Sequence, residues 1–82
     1  MVLYINITPV ELSQVAHKVE IDVVQYSLNN FAVCSVIYYD NAGTKVDSEL
    51  VMIDGDEFNN EWITDDDLVN IVLRKCSISR LS

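Results

Sequence analysis

Three consecutive stretches of this chain carry the residue pattern of β-strands, and only short turns separate them. Residues 18–28, 31–40 and 45–53 are rich in β-branched and aromatic residues, which favour strands. The turn-forming sequences Asn29-Asn30 and Asp40-Asn41-Ala42-Gly43 connect them. Because such short connections join antiparallel strands, these stretches predict an antiparallel meander.

The hydrophobic pattern within the meander predicts which strand faces are buried. One apolar set runs at alternate positions from 19 to 23 and a second from 24 to 28, so we expect a β-bulge near Val23-Val24. Residues 31–39 are apolar on both parities, which is typical of a central strand covered on both faces. Residues 50–53 are apolar throughout, and we expect them to be buried.

A further strand and a short helix are predicted ahead of the meander. Residues 2–7 are β-branched and aromatic and predict a strand. Thr8-Pro9-Val10-Glu11 has the form of a helix start, because a capping threonine precedes proline at the first helical position and glutamate at the third. The spacing of Leu12, Val15 and Ala16 continues this helix briefly.

Two helices are predicted after the meander. In the first, Asp54 lies in the N-cap position with Glu57 three residues later, and Phe58 and Trp62 share one face. In the second, Thr64 is the N-cap. The charges of this helix suit its dipole, because acids lie in its first turn and bases in its last. Its apolar stripe consists of Leu68, Ile71, Val72 and the Lys75/Cys76 position.

These elements predict an α+β fold in which residues 1–82 form a single domain. We expect a small antiparallel sheet, made of the three-stranded meander and the N-terminal strand, or a sandwich-like variant of it. One or two C-terminal helices pack on one face of this sheet.

The charge of the chain is strongly acidic and unevenly distributed. The net charge is −8, and residues 54–67 alone contribute −7. Five scattered cations cannot form the basic face that binds phosphates, so we expect no nucleic-acid partner.

The residue patterns of catalytic and metal sites are missing from the sequence. Cys34 and Cys76 lie outside any CxxC motif in apolar surroundings, and we expect two reduced, buried thiols. His17 is the single histidine, and we expect it at the surface or in a turn. Asp54-Gly55-Asp56 begins like a calcium loop, but Phe58 and Asn59 then break that pattern. We expect no enzymatic activity, no metal, no cofactor and no small-molecule substrate.

The termini and the apolar runs give no sign of secretion or membrane insertion. The N-terminus lacks the basic region and cleavage site of a signal peptide. No apolar run approaches the ~20 residues of a membrane span. We therefore expect synthesis in the cytoplasm and no membrane partner.

The large aromatic side chains and the aspartate run are the candidate interface residues. Tyr38 and Tyr39 are adjacent in a strand, so one of them must be partly outside the core. Trp62 packs on the core or lies in a subunit interface, where tryptophan contributes much binding energy. The candidate interface residues are Tyr39, Phe58, Trp62, Asp65, Asp66 and Asp67.

The C-terminal third resembles short, mostly uncharacterised bacteriophage proteins. The resemblance rests on residues 54–76, in which a glycine, an acidic pair and an aromatic (Gly55 to Phe58) precede Trp62, and Asp65-Asp66-Asp67 opens a final helix. The upstream hairpin at 40–43 is similar too. The resemblance implies a virion structural protein, such as a capsid decoration or cement protein, a neck protein or a tail protein. Its partners would be other virion proteins or further copies of itself.

A second function is compatible with the acidic block at 54–67. A small phage-encoded inhibitor could present these carboxylates in place of phosphates and so bind a basic groove on a host protein. Such binding would weaken steeply with salt and with Asp65→Asn and Asp66→Asn together.

Overall fold

The computed structural model describes residues 2–12, 14–27 and 30–81. Its elements are strands β1 (Val2–Glu11), β2 (Val15–Ser27), β3 (Phe31–Tyr39) and β4 (Lys45–Asp54), a π-helical turn (Glu57–Glu61) and helix α1 (Asp65–Lys75). The strands form one antiparallel sheet in the order β1-β2-β3-β4. The predicted α+β fold, with a meander preceded by an N-terminal strand, is confirmed.

β1 is longer than predicted, and the helix predicted from Thr8 is wrong. β1 continues to Glu11, which pairs with Val15 at the start of β2. The register shifts between Asn6 and Val10, around Pro9. Proline cannot donate a ladder hydrogen bond and is tolerated at such irregular, outer positions of a sheet. Pairing with β2 therefore overrides the local helix-start signal.

The C-terminal segment closes part of the outer edge of β1. Ile7 forms an antiparallel bridge with Arg80. The N–H of Thr8 donates to the carbonyl of Ser79 at 2.8 Å, and the N–H of Leu81 donates to the carbonyl of Asn6 at 3.0 Å. These bonds satisfy backbone groups that an edge strand otherwise leaves open.

The predicted β-bulge in β2 and the predicted turn between β3 and β4 are both present. The register of β2 against β3 shifts between Val23 and Gln25, which confirms the bulge. In the β3–β4 turn, Asp40 Oδ1 accepts from the N–H groups of Ala42 and Thr44 at 2.9 and 2.8 Å. Gly43 there has φ +86°, a conformation that favours glycine. Asn29 of the predicted Asn29-Asn30 turn lies outside the described residues, and so does Leu28, the predicted last residue of the strand before it.

The core lies between α1 and one face of the sheet. Alternate residues of β3 are buried, namely Ala32, Cys34, Val36 and Tyr38. Helix α1 buries Leu68, Val69, Ile71, Val72 and Leu73 on the same side, so the predicted apolar stripe of α1 is confirmed and extended. Cys34 is buried as expected, and Cys76 is half-buried; both are free thiols.

The expectation that both faces of β3 are covered is wrong, and so is part of the burial predicted for residues 50–53. The second parity of β3 is half-buried rather than buried. Val51 and Ile53 are buried, but Leu50 is 70% and Met52 54% exposed. The helical residues pack on one side of the sheet, so these apolar side chains have no layer above them among the described residues.

The segment after β4 forms a single π-helical turn rather than a capped α-helix. Asp54 is the last residue of β4, and Gly55 turns the chain with φ +58°. Asp56 occupies the cap position without a side-chain cap hydrogen bond. The predicted pairing of Asp54 with Glu57 is therefore wrong, whereas Phe58 and Trp62 do lie together.

Helix α1 has specific bonds at both ends. At its start, the N–H of Asp67 donates to Thr64 Oγ1 at 3.2 Å and the N–H of Thr64 donates to Asp67 Oδ2 at 3.0 Å, which is a capping box. At its end, Ser77 donates to the carbonyl of Arg74 and Ile78 donates to that of Leu73. This is a Schellman motif whose left-handed residue is Ser77, with φ +58°.

We expect Thr64→Ala to destabilise the fold by about 1 kcal/mol, because it removes an N-cap acceptor. The measurement is the free energy of unfolding in urea. Thr44→Ala is the control, since Thr44 contributes its backbone rather than its side chain to the turn at Asp40. Equal stability of Thr64→Ala and the wild type would contradict a contribution from the cap.

We expect Ser77→Gly to stabilise the fold by about 0.5–1 kcal/mol, because glycine adopts positive φ without the steric cost of a Cβ. Ser79→Gly is the control for the loss of a serine outside the left-handed position. Thermal and urea unfolding of both variants measure the difference, and a Ser77→Gly protein no more stable than Ser79→Gly would contradict it.

Candidate interaction surfaces

The side of the sheet opposite α1, here called the open face, carries Tyr4 of β1, Lys18 of β2, Ile37 of β3 and Leu50 of β4. Its apolar part consists of residues of β3 and of Leu50 and Met52 of β4. Val33 of β3 lies beside Met52, and Ser35 lies beside Leu50. Exposed apolar patches of this kind on small proteins commonly mark sites of interaction.

The other half of the open face carries a polar cluster of two tyrosines, a lysine and a glutamate. Lys18 Nζ lies 5.8 Å from the ring centroid of Tyr4 and 5.6 Å from that of Tyr39. The hydroxyl of Tyr39 donates to Glu20 Oε1 at 3.1 Å. Cation–π attraction and this hydrogen bond hold the four side chains together.

The glutamate also affects the titration of both tyrosines. A hydrogen bond to Glu20 raises the pKa of Tyr4, and desolvation followed by the hydrogen bond to Glu20 raises that of Tyr39. Both phenols are therefore neutral at physiological pH and serve as hydrogen-bond donors.

The open face carries little of the charge of the chain. By register its charged residues are Glu11, Lys18, Glu20, Asp22, Lys45 and Asp54. Their net charge is −2, which leaves −6 of the total of −8 elsewhere. The acids after Asp54 lie in the segment that packs on the other side of the sheet.

Most acids of the 54–67 segment form bonds within the chain. Glu57 lies 2.9 Å from Arg74 and 2.7 Å from Lys75, and Glu61 lies 3.4 Å from Arg74. Asp66 pairs with Arg80 at 2.7 Å. These pairs tie the π-helical turn and the C-terminal segment to α1.

Two carboxyl groups of this segment have lowered pKa values. The hydrogen bond from Lys75, followed by that from Arg74, lowers the pKa of Glu57. Hydrogen bonds from the backbone and then the side chain of Thr64 lower that of Asp67. Their ionised forms are thus favoured by folding.

Two aromatic interface candidates contribute to a ring cluster on the helix side. The centroids of Tyr26 and Phe58 lie 5.4 Å apart, and those of Phe58 and Trp62 lie 5.8 Å apart. Phe58 is buried and Trp62 is half-buried. Their main contacts are with this cluster and with the core.

A thiol, a carboxylate and a phenol meet where α1 ends over β4. The hydroxyl of Tyr38 donates to Glu49 Oε2 at 2.8 Å, and Cys76 Sγ donates to Glu49 Oε1 at 3.6 Å. Burial is the main cause that raises the pKa of Cys76, and burial also raises that of Cys34 to about 11. A thiol with a raised pKa is a poor nucleophile, so this cluster has the character of a polar contact at the edge of the core.

The six predicted interface residues do not form one surface. Tyr39 lies on the open face, whereas the other candidates, from Phe58 to Asp67, lie on the helix side. Asp67 serves in the capping box and Asp66 pairs with Arg80. Asp65 is exposed in the first turn of α1.

The prediction missed Leu50, Met52 and Ile37. A signal for them was present, since β3 and the end of β4 are apolar on both parities. That signal was interpreted as burial within the chain, although a partner can supply the same cover.

Among residues 2–12, 14–27 and 30–81, no group of histidine, cysteine or acidic side chains has the arrangement of a metal site, and no cavity is found. In the same part of the chain, no helix has both the length and the apolar character needed to cross a bilayer. Comparison with protein-family models, curated proteins and solved structures gives no match for this chain.

We expect the fold to lose stability as the pH falls below about 4.5, the usual pKa of a glutamate such as Glu57. Because the folded pKa is lowered, the stabilisation is present above that value and is lost as the pH falls through the folded pKa. Glu57→Gln should reduce this pH dependence of the unfolding free energy, measured in urea between pH 3 and 6.

The control for this experiment is Glu11→Gln, which removes one carboxylate of β1 outside the cluster around Arg74. A Glu57→Gln protein with the same pH dependence as the wild type would contradict the assigned role of the Glu57 pairs.

Proposed function

We propose that this chain is a non-enzymatic structural protein that works by assembly with other proteins, and that it assembles in a bacteriophage particle. The observation that carries the assembly proposal is the open face. Leu50, Met52 and Tyr4 are more than half exposed there, next to half-buried Val33 and Ile37. Water contact with so much apolar surface is unfavourable, and a protein partner removes it.

The assignment to a virion rests on the resemblance of residues 54–76 to short phage proteins. In a particle the chain would serve as a capsid decoration or cement protein, or as a neck or tail component. Such proteins occur in repeated copies on a symmetric scaffold. A small domain with one exposed apolar face can bind to a scaffold of this kind.

The open face and the helix side have different roles in this proposal. The open face supplies contact area, while the helix side holds most of the negative charge and keeps the free surface soluble. Asp65 and the exposed edge of Trp62 lie on that second side, where they are available to a neighbouring virion protein.

A carboxylate mimic of nucleic acid is the weaker proposal. Of the seven acids in residues 54–67, at least five bond within the chain, namely Asp56, Glu57, Glu61, Asp66 and Asp67. A phosphate mimic needs carboxylates that are free to meet a basic groove, and these are already partnered.

The test is quantitative mass spectrometry of purified particles, with this chain measured against the main shell protein. We expect the chain in the particles in a fixed ratio. A ratio near that of the shell protein indicates decoration or cement, and a small fixed number indicates a neck or tail component. Absence from the particles would overturn the virion proposal, and salt-dependent capture of a basic host protein would then favour the inhibitor.

A further inference from the structure

We propose that the partner of the open face is the open face of a second copy of this chain. The two sheets would stack as a sandwich with one α1 helix on each outer side. This inference rests on the proposed assembly function and names its first partner.

The side chains of the open face suit sheet-on-sheet packing. Ile37 and Val33 stand near the middle of the sheet, where they are half-buried, and Leu50 and Met52 stand beside them on β4. In aligned sandwiches such side chains from two sheets interdigitate across a core about 10 Å thick. In an isologous contact both copies use the same apolar strip, so each copy buries the apolar side chains of the other.

With full overlap of the two faces, the area reaches the lower limit for a specific pair. Four strands at a spacing of about 4.8 Å and a paired length of about eight residues give a projected face near 500 Å² per copy. Two such faces reach the ~1,000 Å² above which an interface is typically specific.

The distribution of charge favours a second copy despite the net charge of −8. The open face contributes only −2 of that total, so two open faces meet with little repulsion. The acids of residues 56–67 would lie beyond both sheets, farther apart than the Debye length of about 8 Å at physiological salt. A strongly basic partner would instead gain most on the helix side, where the acids are.

The side chains of the polar cluster already contact one another and can remain so in such an interface. Lys18 is held between Tyr4 and Tyr39, and Glu20 accepts from Tyr39. Charged groups that already have a hydrogen bond or a cation–π contact cost less to bury than isolated ones. The cluster would therefore lie toward the β1–β2 side of the interface, and the apolar strip of β3 and β4 toward its other side.

The test compares Leu50→Lys with Ile63→Lys in sedimentation equilibrium over a concentration series. Both side chains are largely exposed, 70% and 80%, so each substitution is compatible with the monomer fold and adds the same charge. Leu50 lies on the open face, while Ile63 lies between the π-helical turn and α1 on the other side.

We expect the wild-type chain and Ile63→Lys to sediment at twice the chain mass of 9.3 kDa. Leu50→Lys should weaken the dimer about tenfold or more. Circular dichroism checks that both variants fold, and Met52→Lys provides a second variant of the open face. Because the apolar contact carries little charge, added salt should not dissociate the wild-type dimer.

A wild-type chain that sediments at 9.3 kDa up to hundreds of micromolar would overturn the inference, and so would a dimer that Leu50→Lys and Met52→Lys leave intact. These failures differ from failure of the proposed function. A monomer found in particles, and lost from them in Leu50→Lys but not in Ile63→Lys, would leave the assembly proposal standing with another protein on the open face.

Discussion

A sheet has two faces, and the described part of this chain places helical cover on one of them. After β4, the residues described up to 81 form a π-helical turn, helix α1 and a short C-terminal segment. All of the buried residues of α1 pack on the side of Val36 and Tyr38. Because the helical residues cover one face, the side chains of that face form the core. The side chains of the open face are exposed or half-buried, and that is where a partner can bind.

The same constraint separates the two electrostatic characters of the molecule. The helical layer has acids at its start and bases at its end, and these close ion pairs with the π-helical turn and the C-terminal segment. The charges thus stabilise the layer that exists. The open face carries only −2 of the net charge and has a compact cluster around Lys18.

Much of the fold could be predicted from sequence because its signals are local. The β3–β4 turn, the bulge after Val23 and the cap at Thr64 each depend on residues close together in the chain. The helix start at Thr8 failed for the opposite reason, since strand pairing with residues near Ala16 decides that segment. The sequence did not reveal the open face as an interaction surface. An apolar strand pattern indicates that a face is buried, but it does not indicate whether the same chain or a partner buries it.

The contact between the C-terminal segment and β1 has a consequence for the order of folding. β1 is synthesised before residues 79–81, which pair with part of its outer edge. Until those residues leave the ribosome, the backbone of Asn6 to Thr8 presents unpaired groups that can recruit another strand. The nascent chain therefore carries a temporary open edge that residues 79–81 later remove.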